Sequence, residues 1–344
     1  MRKSIFLTVA LLSVALSACR QGKTNALHEW ENYQEMAGTP LGGDSLFLGH
    51  PGSIAYFDGQ LGVYDFYDGN IFTWIDLQRG TSRHNTRFGE GPGEFLPPLY
   101  LYKDKNPENI KIFERSKGIC YTYRLADALN GTLASPLHKD SVGMPGNQVV
   151  PCGDRYAGNQ MMDDGKMFYL WTPEQDTKIR FGVYPGNLKG TADASVLDMM
   201  TQCQMAANPE GSVVVAAGYM TDMLSFYKVD GAEVSLLKEY FSQDADVEIR
   251  KDETGISVIP TANTLQTYIH LCPTRSFLYA LYWGTREGEP RERSYIQVFD
   301  WEGNFVKGYA VNDRLVSVAV DEEAETLYGL TTKEETPVLV YSLK

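Results

Sequence analysis

The chain has 344 residues, with 31 Lys and Arg against 44 Asp and Glu, a formal net charge of −13, and 43% hydrophobic residues. That apolar fraction can build a real core, which excludes intrinsic disorder for most of the chain. The acidic balance argues against nucleic acid as a partner, because its backbone is bound mainly by neutralising phosphates with Lys and Arg.

The first element in chain order is an address. Arg2 and Lys3 precede an apolar run from Ile5 to Leu16. The run is shorter than the roughly 20 apolar residues that a membrane-spanning helix needs, and it fits the central region of a secretory signal. It ends Leu16-Ser17-Ala18-Cys19, which resembles a bacterial lipobox. The resemblance implies cleavage before Cys19 and lipidation of that cysteine by an acyl chain of the palmitate kind. Residues 1–18 are thus read as a lipoprotein signal peptide, 19–27 as a tether and 28–344 as the folded body. The plainer alternative is an ordinary signal peptide that ends near a cysteine. Cleavage leaves 29 basic residues against 44 acidic ones, a balance of −15. Such a body is repelled by an anionic membrane surface and is expected to stand off the bilayer. The tether carries no acidic run of the kind that marks some surface-exported lipoproteins of the Bacteroidetes, which favours the periplasmic side over the cell surface.

Two short stretches, Glu29 to Met36 and Ala194 to Met200, carry the best helical patterns. The remainder reads as short strands. Ile54 to Phe57, Gly62 to Tyr67 and Ile71 to Ile75 are separated by Asp58-Gly59 and Asp68-Gly69-Asn70, which makes two successive hairpins. Asp-Gly is a strong hairpin signal because Gly supplies the positive φ that primed turns require. The pattern recurs at Leu224 to Gly231 and at Tyr295 to Val306. An apolar–aromatic step, read as closing the third strand of each unit, places aromatics at Tyr64, Phe113, Phe181, Tyr227, Phe299 and Tyr341. Six such units, spaced within the range of long-looped blades, cannot bury their faces alone and would close radially. The expected fold is all-β: a six-bladed β-propeller of four-stranded antiparallel blades. Either the segment around Trp30 to Met36 or Ser45 to Leu48 would lend a strand to the last blade.

Arg87-Phe88-Gly89-Glu90-Gly91-Pro92-Gly93-Glu94-Phe95-Leu96-Pro97 resembles the junction segment of NHL-type repeats, and Tyr295 to Phe305 looks like the half-repeat that follows. The Gly-x-Gly-Pro-Gly-Glu-Phe form also resembles TolB-like six-bladed propeller lipoproteins of the Bacteroidetes. In such a junction the chain passes from the outer strand of one blade to the inner strand of the next. Gly89, Gly91 and Gly93 permit the turn, Pro92 stiffens it, Phe95 wedges between blades, and Pro97 starts the inner strand. The functional alternative places Glu90 and Glu94 in a ligand or metal site. The spacing is not that of a dinucleotide loop, and no helix follows.

Recognisable catalytic sets are missing. Gly43-Asp44-Ser45-Leu46 spells the nucleophile block of GDSL hydrolases, but Thr267, three residues before the last histidine His270, stands where that family has Asp. There is no Gly-x-Ser-x-Gly and no His-Glu-x-x-His. His28, His50, His84, His138 and His270 are scattered, though a ring could bring them to its axis. Asp163-Asp164 and Asp321-Glu322-Glu323 could offer oxygens to Ca²⁺, or form solvated turns. The charge-rich stretch from Glu287 to Arg293 reads as a solvated hairpin tip. Cys120, Cys152, Cys203 and Cys272 allow three pairings, with buried thiols or an incidental bridge as the simplest outcome. No cofactor, metal or catalytic residue is assigned. Asp44-Ser45-Leu46 and Asp140-Ser141-Val142 resemble a three-residue O-glycosylation pattern of Bacteroidetes envelope proteins, with Ser45 and Ser141 as acceptors. Tyr100-Leu101-Tyr102 and Tyr279-Ala280-Leu281-Tyr282-Trp283 are candidate contact aromatics, core packing being the alternative. The leading functional expectation is a monomeric, lipid-anchored binding or scaffolding module for an envelope protein or glycan. The second is a hydrolase or lyase, lactonase-like, with a composite and Ca²⁺-dependent site at the ring axis.

Overall fold

A computed structural model describes residues 32–42, 46–142, 148–160, 164–187, 194–253, 255–290, 292–333, 335 and 337–344. The lipobox, Cys19, His28, Ser45 and Asp163 lie outside the described residues. Among those that are described, no helix is long and apolar enough to cross a membrane.

Six blades follow one another along the chain as antiparallel sheets, and a separate two-stranded hairpin, Val247–Asp252 with Gly255–Pro260, lies between the fourth and fifth. Blade 1 holds Pro51–Phe57, Gln60–Tyr67, Asn70–Asp76 and Thr81–Arg87, from the innermost strand outwards. Blade 2 holds Leu99–Lys103, Asn109–Glu114, Ile119–Arg124 and His138–Ser141. Blade 3 holds Val149–Cys152, Arg155–Asn159, Lys166–Thr172 and Thr177–Val183. Blade 4 holds Cys203–Ala207, Val213–Gly218, Met223–Asp230 and Glu233–Phe241. Blade 5 holds Leu265–Pro273, Phe277–Arg286, Ser294–Asp300 and Phe305–Val311. Blade 6 holds Leu315–Asp321, Thr326–Thr331 and Val338–Ser342, completed by Thr39–Pro40. The protein is thus a six-bladed β-propeller.

Both expected hairpins of blade 1 form, with Asp58, Gly59, Asp68 and Gly69 all at positive φ, as primed turns require. Each gap between neighbouring blades is filled by its own apolar cluster. Val214 and Ala216 of blade 4 pack towards blade 3, while Val213, Val215 and Ala217 of the same strand pack towards blade 5. Strands buried on both faces read as continuous apolar runs, and the ring closes through Ile54, Leu61 and Val63 against Ala319, Tyr328 and Leu330.

Three expectations are corrected. Tyr33–Met36 is not helical: it is a fifth, parallel strand on the outer edge of blade 5, with Tyr33 opposite Gly308. The strand that completes blade 6 is Thr39–Pro40, which lies between the two segments expected to supply it, Trp30 to Met36 and Ser45 to Leu48. The aromatic step keeps its count of six but not its phase. Tyr64 and Phe113 lie on second strands and Phe181 on a fourth, and only Tyr227, Phe299 and Tyr341 lie on third strands. The helix at Ala194–Met200 is present, and a second helix at Leu125–Asn130 is capped by Gly131 in the left-handed conformation, φ 71°.

Candidate functional site

A propeller alternates its turns between two faces. In blade 1, the turn at Asp68-Gly69 and the junction after Arg87 share one face, here the upper. The turns at Asp58-Gly59 and Leu77–Gly80 share the lower.

The junction motif 87–97 sits on the upper face. Phe88 and Phe95 form an isolated parallel bridge: the Gly89 amide donates to the Phe95 carbonyl (3.2 Å) and the Phe95 amide to the Arg87 carbonyl (3.1 Å). Phe95 is 2% exposed and lies in the cluster between blades 1 and 2, its ring 5.5 Å from Tyr121 and 6.2 Å from Tyr123. Glu94 folds back so that its Oε2 accepts from the Gly91 amide at 3.0 Å. Gly93 has φ 77°, and a Cβ there would lie 2.9 Å from the Leu133 backbone. The buried Glu114 carboxylate accepts from the Leu96 amide (2.8 Å) and the Tyr121 hydroxyl (3.2 Å), with Lys117 Nζ at 2.9 Å. Pro97 and Pro98 precede the inner strand, which begins at Leu99. Pro92 and Glu90 are exposed. Of the motif's two carboxylates, Glu94 thus turns inward onto the motif's own backbone and Glu90 faces solvent.

The sequence-selected aromatics are core. Tyr279, Tyr282 and Trp283 are 3%, 0% and 5% exposed, and Tyr100 and Tyr102 pack into the gap between blades 2 and 3. The exposed aromatics lie elsewhere, on the upper rim of blade 1. A β-bulge interrupts the register between Tyr64 and Tyr67, so one extra residue is accommodated there. It turns Phe66 and Tyr67 outward, each 39% exposed. Phe88, at 49%, meets Phe66 edge-on with centroids 6.0 Å apart. Phe47, at 55%, meets Tyr67 edge-on at 5.0 Å, between the buried anchors Leu46 and Leu48. Sequence reasoning missed these four. The available signal was the pair Phe66-Tyr67 directly before a turn, where a strand cannot bury both neighbours on one side.

Beneath the corner runs a hydrogen-bonded chain. Asp65, fully buried, accepts from the Gly49 amide (2.8 Å) and from the Thr73 hydroxyl (2.7 Å). Thr73 Oγ1 in turn lies 2.7 Å from His84 Nδ1, and the His84 ring packs on Tyr67 with centroids 4.8 Å apart. Three strands of blade 1 therefore converge on the imidazole.

The other histidines do not join it. His50 is exposed before the first strand of blade 1, and His138 lies on the outer strand of blade 2, 2.9 Å from Asp140. His270 lies on the inner strand of blade 5, where Val318 of blade 6 donates its amide to Nδ1 at 3.4 Å. Burial lowers the His270 pKa to about 4. Among the described residues no three His, Cys, Asp or Glu side chains gather as cation ligands. Glu322 spends its carboxylate on the Arg275 and Ser276 amides and the Thr274 hydroxyl of blade 5, and Asp164 pairs with Arg180. The composite axial site that the enzymatic reading needs is not assembled by these groups.

The four cysteines are unpaired thiols. Burial pushes Cys120 up to about 12 and Cys152 and Cys272 to about 11, which suppresses thiolate chemistry. Cys120 borders a closed polar brace between blades 2 and 3. There Lys111 Nζ donates to Thr122 Oγ1 (3.3 Å) and to the Tyr156 hydroxyl (3.2 Å), which donates to Asp140. Ser141 ends the outer strand of blade 2 with its side chain exposed.

A family described as TolB-like 6-blade propeller-like matches residues 160–323. Among solved structures, a duf4221 family member from Bacteroides vulgatus is 11% identical with a TM-score of 0.54, covering 90% of this chain and 96% of its own. A putative exported protein from Bacteroides fragilis is 14% identical with a TM-score of 0.50, covering 89% of this chain and 93% of its own. At these identities the two structures share the fold. No curated protein matches the chain.

Proposed function

We propose that this six-bladed propeller, whose residues 160–323 match a TolB-like 6-blade propeller-like family, is a recognition module of the bacterial envelope. It is held by a lipid on Cys19 and presents the upper rim of blade 1 to an envelope protein or glycan. The observation that carries this reading is two edge-on aromatic pairs on that rim, Phe47 with Tyr67 and Phe66 with Phe88, four large side chains left 39–55% open. Exposed apolar patches rimmed by polar residues mark contact sites, and this one is seated on a hydrogen-bonded base rather than on a loose loop.

The path of the chain supports an outward-facing corner. Tyr33–Met36 runs parallel to Phe305–Val311, so the polypeptide enters blade 5 from the end that carries the Trp301–Asn304 turn, on the lower face. A tether from Cys19 joins the disc there, on the face opposite the corner.

The test is crosslinking in native cells, affinity capture of the lipidated protein and mass spectrometry of what accompanies it. A specific envelope component should be recovered with the wild type and lost with Phe66→Ser/Phe88→Ser, a pair of exposed positions that leaves the melting temperature in place. Recovery of the same component with the double variant, or of the protein alone from both, would defeat the reading.

A further inference from the structure

The chain of hydrogen bonds under the aromatic corner dictates which nitrogen of His84 carries its proton. Thr73 has one hydroxyl hydrogen, and the buried Asp65 carboxylate takes it at 2.7 Å. The Thr73 oxygen then faces His84 Nδ1, 2.7 Å away, with only lone pairs. Nδ1 must donate, so the neutral ring is the Nδ1–H tautomer and its Nε2 keeps a lone pair. That lone pair has no protein partner among the described residues, and the nitrogen is not among their buried, unsatisfied polar atoms, so it reaches solvent. The ring is pinned by Thr73 on one side and by Tyr67 at 4.8 Å on the other.

We infer that this corner is a binding site for a neutral carbohydrate, with His84 Nε2 accepting a sugar hydroxyl hydrogen while Tyr67 and Phe47 carry the C–H face of the ring. The inference rests on the reading of the corner as the contact surface and names its ligand. Three features of the corner favour a sugar. A sugar offers both an apolar face and a hydroxyl donor, which are what an aromatic wall and a fixed lone pair accept. Phe47 and Tyr67, the pair beside His84, leave about 190 Å² open, taking roughly 200 Å² per side chain, about a quarter of the ~800 Å² that each partner of a stable protein interface buries. The formal net charge of −13 selects against acidic saccharides.

The experiment uses the mature chain with ¹⁵N-labelled histidine and has two readouts. Long-range ¹H–¹⁵N correlation, with His84→Phe to assign the ring, should show that the neutral ring carries its proton on Nδ1 and none on Nε2. Titration with cellotriose, chitotriose and maltotriose should then move the His84 ring signals for at least one of them. His84→Phe should weaken that binding at least tenfold while melting at the wild-type temperature. A proton on Nε2 of the neutral ring, ring signals indifferent to all three sugars, or undiminished binding to His84→Phe would each overturn the inference. If the sugars leave the His84 ring signals unmoved while Phe66→Ser/Phe88→Ser still loses a crosslinked protein, the recognition reading stands and the carbohydrate assignment falls.

Discussion

Phe88 and Phe95 offer a direct test of how the junction divides its labour. They are the same residue type, they form one parallel bridge, and they meet opposite fates: 49% exposed at the rim against 2% in the gap between blades 1 and 2. Truncating Phe95 to Ala removes a ring that Tyr121 and Tyr123 meet edge-on. Tyr121 cannot collapse freely into the space, because its hydroxyl is tied to Glu114, itself holding the Leu96 amide. A cavity should therefore persist, with the 3–5 kcal/mol cost typical of Phe→Ala in a rigid core. For a folded body of about 310 residues, an unfolding entropy near 0.65 kcal/mol per kelvin converts that loss to a fall in Tm of about 5–8 °C. Phe88→Ala loses only rim contact with Phe66 and should shift Tm by less than about 1 °C. Differential scanning calorimetry of the two variants reads both numbers on one instrument. A fall below about 2 °C for Phe95→Ala, or equal falls for the two, would refute the assignment of Phe95 as the inter-blade wedge and Phe88 as surface.

Three further outcomes follow from other parts of the ring. His270 is held neutral by the Val318 amide, with its pKa lowered by burial to about 4 against about 6.5 in an unfolded chain. Below pH 6.5 the unfolded state takes up a proton that the native state refuses, so stability is full above that value. It should decline by up to about 3 kcal/mol as pH falls towards 4. Urea titrations at pH 7.5, 5.5 and 4.5 should show this slope in the wild type and a shallower one in His270→Gln; parallel slopes would contradict it. The buried thiols of Cys120, Cys152 and Cys203 should stay silent to a disulfide exchange reagent at pH 8 in native buffer, while these three and the half-buried Cys272 should all react in denaturant; rapid native reaction of any of the three would place that thiol at the surface. In lipid vesicles, a fluorophore on Glu302→Cys at the lower turn of blade 5 should be quenched by headgroup-labelled lipid more strongly than one on Asp68→Cys at the upper turn of blade 1. The reverse order would turn the disc over, and loss of all vesicle association in Cys19→Ser separates anchoring from orientation.

How far the sequence exposes this molecule depends on whether a feature is local. The two hairpins of blade 1 are legible because Asp58-Gly59 and Asp68-Gly69 determine their turns within a few residues. The blade count is legible from aromatic spacing, while the strand phase is not. A blade buries both faces of its middle strands, so an apolar–aromatic step such as Val63-Tyr64 serves as well on a second strand as Val298-Phe299 does on a third. Closure was illegible because the completing strand is two residues, Thr39-Pro40, too short to hold a period. Tyr33–Met36 carries a helical pattern, but the open edge of Phe305–Val311 offers hydrogen bonds that a short isolated helix cannot match. The helix at Leu125–Asn130 leaves only a local trace in the sequence, Gly131 just past its end.

The candidate site was hidden for a more general reason. Its chemistry is assembled from Phe47 before the first strand, Asp65 and Tyr67 at a bulge, Thr73 on the third strand and His84 on the fourth. None of these spacings resembles a motif, because a blade sets residues side by side through register. Thr73 faces His84 since the Asn70–Asp76 and Thr81–Arg87 strands pair in that register, and a one-residue slip would send the imidazole to the opposite face. The bulge then supplies the extra residue that lets Asp65 turn under Thr73 while Phe66 and Tyr67 turn out. The same local irregularity thus builds the polar base of the corner and its aromatic wall. An insertion or deletion between Tyr64 and Asn70 should accordingly remove the fixed lone pair and the exposed rings together.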